Sequence, residues 1–138
     1  MKIAVEIAFG ISHLHKQGII HRNLNVHNIM LNRFLKAKII NFGQVHCYES
    51  ISNESNISMT KNIGDFIFMS PEMQNDDDEY DIKTDVYSYG VIIYNLFTGK
   101  LPKFPPSFPL LSQSISICCI EPSERPSFNE ILVFICIC

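Results

Sequence analysis

A chain of 138 residues, 46% hydrophobic and 18% charged, carries enough apolar material for one globular domain with a sizeable core. That composition excludes a disordered tail, and 6 glycines with 7 prolines exclude a collagen-like or linker sequence. A net charge of −3 offers no general field for nucleic acid or for an acidic membrane surface. In chain order, residues 2–17 are a predicted helix: Ala4, Ile7, Ala8, Ile11 and Leu14 recur at spacings of three and four, and Gly18 supplies a stop. Residues 28–31 and 37–40 read as two short strands joined by the polar, basic turn 32–36. Residues 44–69 show no sustained period, and Ser50, Ser52, Asn53, Ser55, Asn56, Ser58 and Thr60 mark them as a long loop.

Pro71 can open a short helical turn, and the acidic run Asp76-Asp77-Asp78-Glu79 with Asp81 reads as a solvated loop. A second clear helix spans 85–98, with Val86, Tyr89, Gly90, Ile93 and Phe97 on one face. Thr84 or Asp85 is expected to cap it, and Gly99 to end it. Pro102, Pro105, Pro106 and Pro109 then break the chain repeatedly. Two more helix candidates, 110–119 and 127–137, flank the turn Glu121-Pro122-Ser123, and no internal repeat is visible. The expected fold is mainly α with a small β-hairpin, in one domain over 1–138.

The five cysteines are Cys47, Cys118, Cys119, Cys136 and Cys138, with no C-x-x-C pair and an odd total. Reduced thiols serving as small apolar side chains are expected. His13, His15, His27 and His46 lack metal-ligand spacing and read as surface or packing residues. No secretory leader or membrane-spanning run is recognised, so a cytoplasmic protein is the expectation.

The densest chemical signal is His21-Arg22-Asn23-Leu24-Asn25-Val26-His27-Asn28, followed by Asn41-Phe42-Gly43, Ser70-Pro71-Glu72, Asp85-Val86-Tyr87-Ser88-Tyr89-Gly90 and Arg125-Pro126. In this order and at these distances the set resembles the C-terminal lobe of a eukaryotic protein kinase. The matching family motifs are the catalytic loop H-R-D-L-x-x-x-N, the D-F-G and A-P-E motifs, the D-V-Y/W-S-x-G helix and a late Arg. Gly18-Ile19-Ile20-His21 and Gly64-Asp65-Phe66-Ile67-Phe68-Met69 lean towards the serine/threonine and tyrosine-kinase-like groups. The resemblance covers residues 1 to about 132 and implies transfer of the γ-phosphoryl group of ATP to a protein hydroxyl, with magnesium as the metal.

Residue by residue, the resemblance puts Asn23 at the family's catalytic Asp, and an amide has no useful basicity at neutral pH. Loss of a general base typically costs ~10²–10⁴ in rate. Asn25 stands at the family's Lys, which removes a positive charge from the transferring phosphate. Asn28 keeps the family's metal-binding Asn, whereas Asn41 replaces the D-F-G Asp, so the implied magnesium site is weakened. Asp65 replaces the family's usual Thr and reads as drift.

The scaffold positions match better. His21 and Asp85 are implied to tie the loop to the long helix, and Glu72 with Arg125 to form a buried ion pair. Leu24 and Phe42 are expected in the core, and Gly43 completes the D-F-G match. Arg22 matches the Arg that pairs with a phosphorylated loop, although a merely polar segment at 50–60 is the preferred reading there.

The family's N-lobe, with its Gly-rich loop and strand Lys, is not in this sequence. The stretch between Gly99 and Arg125 looks shortened for the substrate-side helix, and the last helix looks cut at Cys138. Three functional readings follow: a pseudokinase-like scaffold or binding element, a fragment of an active or weak serine/threonine-type kinase, and a truncated product without function. Without the family's N-lobe, Ile29, Leu31 and Ile39 or their neighbours are expected to be under-buried, giving either aggregation or a protein-partner site.

Overall fold

The computed structural model of the chain describes residues 2–41, 46–47, 66–74, 81–102 and 116–137. Helix α1, Lys2–Lys16, turns Ala4, Ile7, Ala8 and Ile11 inward. It ends at Gly18, whose φ of 71° and N–H bond to His15 O form a left-handed stop that an L side chain would strain. Strand β1 is only Ile19–Ile20, and it pairs antiparallel with β4, His46–Cys47. Its β4 half lies inside the stretch 44–69 read as loop, because two-residue strands leave no alternation in a sequence.

The hairpin is β2, Ile29–Leu31, and β3, Ala37–Ile39, in register Ile29↔Ile39, Met30↔Lys38 and Leu31↔Ala37. Its turn is organised by Asn32, whose Oδ1 accepts the N–H groups of Phe34 and Lys36, each at 2.9 Å. The hairpin docks on α1 through Ala37 N, which donates to Glu6 Oε2 at 2.6 Å. Gly10 faces Ile39 so closely that a Cβ would stand 2.7 Å from Ile39 Cδ1.

Helix α2, Pro71–Gln74, is the short turn expected at Pro71. Helix α3, Lys83–Thr98, starts two residues earlier than its apolar period indicates. Thr84 and Asp85 do not cap it. Asp81 does, with its Oδ1 accepting Lys83 N at 2.7 Å and its backbone O accepting Thr84 Oγ1 at 3.0 Å. Residues 84–93 of α3 are buried on every side, which makes α3 the central rod of the core. Phe97, placed with the apolar face by spacing, is exposed in the last turn.

The chain then passes through 3₁₀ turns at Ile117–Cys119 and Pro122–Glu124 to α4, Phe128–Ile137. The α4 start is a capping box. Ser127 N donates to Glu130 Oε2 at 2.7 Å and Glu130 N to Ser127 Oγ at 3.3 Å. Phe128 is buried edge-on against His15 and Tyr89, with ring centroids 5.2 Å apart in both pairs, and Ser12 Oγ donates to Asn129 Oδ1. Tyr89 Oη reaches Ala4 O at 3.1 Å, so α1, α3 and α4 form one bundle.

The fold is therefore mainly α with a small β-hairpin, the architecture implied for a kinase C-lobe. Among the described residues no helix is long and apolar enough to cross a membrane.

Candidate functional site

The loop between β1 and β2 is held by its backbone. Asp85, buried in the first turn of α3, accepts His21 N through Oδ2 and Arg22 N through Oδ1, each at 2.9 Å. Its Oδ2 also meets His15 Nε2 at 2.8 Å. A buried carboxylate costs several kcal/mol unless hydrogen-bonded, and these donors supply the compensation. Arg22 stands at φ 64°, a left-handed conformation that is unusual for a bulky residue, and the bond from its N–H to Asp85 offsets that strain.

His21 is fully buried. Its Nδ1 accepts Asn23 N at 3.3 Å, so Nε2 carries the proton and donates to Ile40 O at 3.1 Å. Leu24 is buried below the loop, in the core.

The asparagines occupy the upper side of this loop. Asn25 is buried and turned inward. Its Oδ1 caps the 3₁₀ turn Val26–Asn28 by accepting His27 N at 2.9 Å and Asn28 N at 3.1 Å. Its Nδ2 donates to Asn23 Oδ1 at 3.0 Å. Asn28, also buried, donates from Nδ2 to Asn23 O at 2.6 Å. Asn28 Oδ1 accepts Asn41 Nδ2 at 2.7 Å. Asn41 is exposed and sits at φ 65°, a conformation that Asn tolerates better than most residues.

Magnesium takes hard oxygen ligands in octahedral geometry. As arranged here, Asn28 and Asn41 do not offer a cation two oxygens. One amide oxygen is occupied, and the other side chain presents N–H to it.

A second cluster ties the A-P-E-like segment to the last turns. Arg125 is buried, with Nη1 and Nη2 on the two oxygens of Glu72 at 2.5 and 3.0 Å. Its Nε donates to Ile120 O at 2.8 Å, its Nη1 also reaches Lys83 O, and its guanidinium lies 5.3 Å from the Tyr87 ring centroid. Lys83 Nζ in turn donates to Arg125 O. Burial pushes the Glu72 carboxyl up, but the bonds and charge of Arg125 outweigh it and hold the group below the usual carboxylate range.

Asn23, Asn25, Asn28 and Asn41 thus come together in one hydrogen-bonded set. His21, Arg22 and Asp85 lie directly beneath, and Glu72 with Arg125 forms a separate structural pair. Phe42, Gly43, Asp65 and the hydroxyl-rich stretch at 50–60 lie outside the described residues. His13 and His27 are exposed. His15 is not a plain surface or packing residue, since it closes the Asp85 cluster. Continuing the α1 stripe from Ile11 by four residues points to it. Ile29 and Ile39 are half-buried against the core, while the exposed apolar residues of the hairpin are Met30 at 57%, Leu31 at 45%, Phe34 at 62% and Leu35 at 60%.

The protein kinase domain family matches this chain over residues 1–109. A probable serine/threonine-protein kinase of Dictyostelium discoideum is 37% identical over 153 aligned positions, covering 95% of this chain and 16% of that protein. A serine/threonine/tyrosine-protein kinase of Arabidopsis thaliana is 32% identical, covering 96% of this chain and 38% of that protein. A serine/threonine-protein kinase of Mus musculus is 39% identical over 102 positions, covering 72% of this chain and 12% of that protein. The chain spans well under half the length of these relatives. A loop pinned to a central helix by a buried Asp, the Glu72–Arg125 pair and these matches together establish that the chain belongs to the protein kinase domain family.

Proposed function

We propose that this chain is the C-lobe part of a kinase domain, over residues 1–138, that has lost phosphoryl transfer and acts as a pseudokinase-like scaffold or binding element. The observation that carries this reading is the state of the two positions where the family places carboxylates. Both are neutral amides, Asn23 and Asn41, and both are engaged with neighbouring asparagines rather than open to a substrate hydroxyl or a metal. Asn25 adds to this, because a capping amide stands where the family holds a cation for the phosphate.

In this reading ATP and magnesium are the family's ligands and not functional cofactors of this chain. The partner is a protein that covers the apolar surface of Met30, Leu31, Phe34 and Leu35, rather than nucleic acid or a membrane, and the compartment is the cytoplasm. The absence of a spanning helix among the described residues and the net charge of −3 are compatible with that setting.

The alternative is a fragment of a weak serine/threonine-type kinase. It is favoured by the kept backbone scaffold, in which His21 and Arg22 are held by Asp85 and Asn28 is in place. A phosphotransfer assay with Mg-ATP separates the two. The chain, alone and within any longer product of its gene, is compared with its Asn23→Asp, Asn41→Asp double variant. No transfer by the unaltered chain is expected, and transfer by it would establish the alternative. Gain of transfer in the longer double variant alone, on the ~10²–10⁴ scale of a restored base, would mark the two carboxylates as the missing parts.

A further inference from the structure

The geometry points to a direct amide link that replaces a divalent cation as the tie between the loop at 23–28 and residue 41. The orientation of each amide is fixed by its neighbours. Asn28 Nδ2 is committed to Asn23 O at 2.6 Å, which turns Asn28 Oδ1 towards Asn41. Only a donor can then face it at 2.7 Å, so Asn41 presents Nδ2. Asn25 Oδ1 is committed to two backbone N–H groups, which directs its Nδ2 to Asn23 Oδ1.

The set is thus self-satisfied, with the positive end of an N–H dipole where a cation would have to sit. A carboxylate at position 41 cannot donate. Two oxygens would face each other there, and a cation between them would relieve the repulsion. The backbone does not discriminate, because Asp tolerates the left-handed φ of 65° as Asn does. This inference goes beyond the silent-kinase reading and does not rest on it.

The test is thermal unfolding of the chain in EDTA and in saturating MnCl₂ or MgCl₂. The unaltered chain is expected to keep one Tm in all three. Asn41→Asp is expected to fall by about 5 °C in EDTA and to recover by a similar amount in Mn²⁺. Stabilisation of the unaltered chain by Mn²⁺ that disappears in Asn28→Ala would overturn the link. So would an Asn41→Asp chain whose Tm in EDTA equals that of the unaltered chain.

Should Asn41→Asp fail to fold, a Mn²⁺ titration of the unaltered chain by NMR decides. Side-chain NH₂ resonances of Asn28 and Asn41 that keep their intensity support the link, and their selective broadening overturns it. Loss of phosphotransfer is scored by the separate assay above, so the two readings fail independently.

Discussion

Arg125 holds Glu72 by a two-pronged contact, Nη1 to Oε1 at 2.5 Å and Nη2 to Oε2 at 3.0 Å, with the guanidinium buried. Removing one partner leaves the other charge desolvated and uncompensated. Arg125→Met should therefore lower the unfolding free energy by about 3–5 kcal/mol, read from urea titration.

The same pair sets a pH dependence. Burial alone would raise the Glu72 carboxyl, but Arg125 and the backbone bond bring it below its ordinary 4.5. A lowered native value means that the contribution is fully present above the unfolded value and is lost as pH falls through the native one. Unfolding free energy measured downward from neutral pH should begin to drop near pH 4.5. The drop should be shallower in Arg125→Met, where the source of the lowering is gone.

Asp85 takes three donors from two segments, namely His15 Nε2, His21 N and Arg22 N. Asp85→Ala orphans buried donors and releases a residue held at positive φ. With each unsatisfied group worth about 1–3 kcal/mol, a loss of roughly 3 kcal/mol or more is expected in denaturant unfolding. Amide hydrogen exchange should locate the loosening at residues 21–22 and not along α4.

Cys118 is buried and Cys119 half-buried in the 3₁₀ turn Ile117–Cys119. Burial pushes the Cys118 thiol up to about 12, and burial with the neighbouring Cys118 raises Cys119 as well. Thiolate is the reactive form, so both should resist alkylation at neutral pH in the native chain. In urea they should react at the rate of ordinary cysteine. Rapid native modification at either position, mapped by mass spectrometry, would contradict the burial described.

The hairpin carries Met30, Leu31, Phe34 and Leu35 in the open, with Phe9 of α1 also exposed. Apolar area of this kind promotes association. Light scattering of the chain should rise with concentration, and Phe34→Ser with Leu35→Ser should suppress that rise. Both side chains are largely solvated already, so the double change should leave stability within about 0.5 kcal/mol.

The parts of this fold legible in the sequence are those written in periodic burial. The stripe Ala4, Ile7, Ala8, Ile11 and the run through Val86 and Tyr89 give α1 and α3, and the short alternating segments around Asn32 give the hairpin. The β1–β4 pair was not legible, because its contacts are backbone to backbone across 26 residues. Asn25 is the instructive case at the site. Its position suggested a lost charge, but its inward turn depends on the 3₁₀ geometry of residues 26–28, which no spacing reveals. The capping of α3 went to Asp81 because Asp85 is occupied by the loop.

That occupation has an evolutionary consequence. Asp85 accepts the main-chain N–H groups of His21 and Arg22, which every residue type except proline supplies. The hold of Asp85 on the loop therefore does not depend on the side chain at position 23, which needs only to keep an acceptor for Asn25 Nδ2. An exchange of one acceptor for another there, Asp for Asn, keeps both ties, so the chemistry at position 23 can change while the fold around it is held.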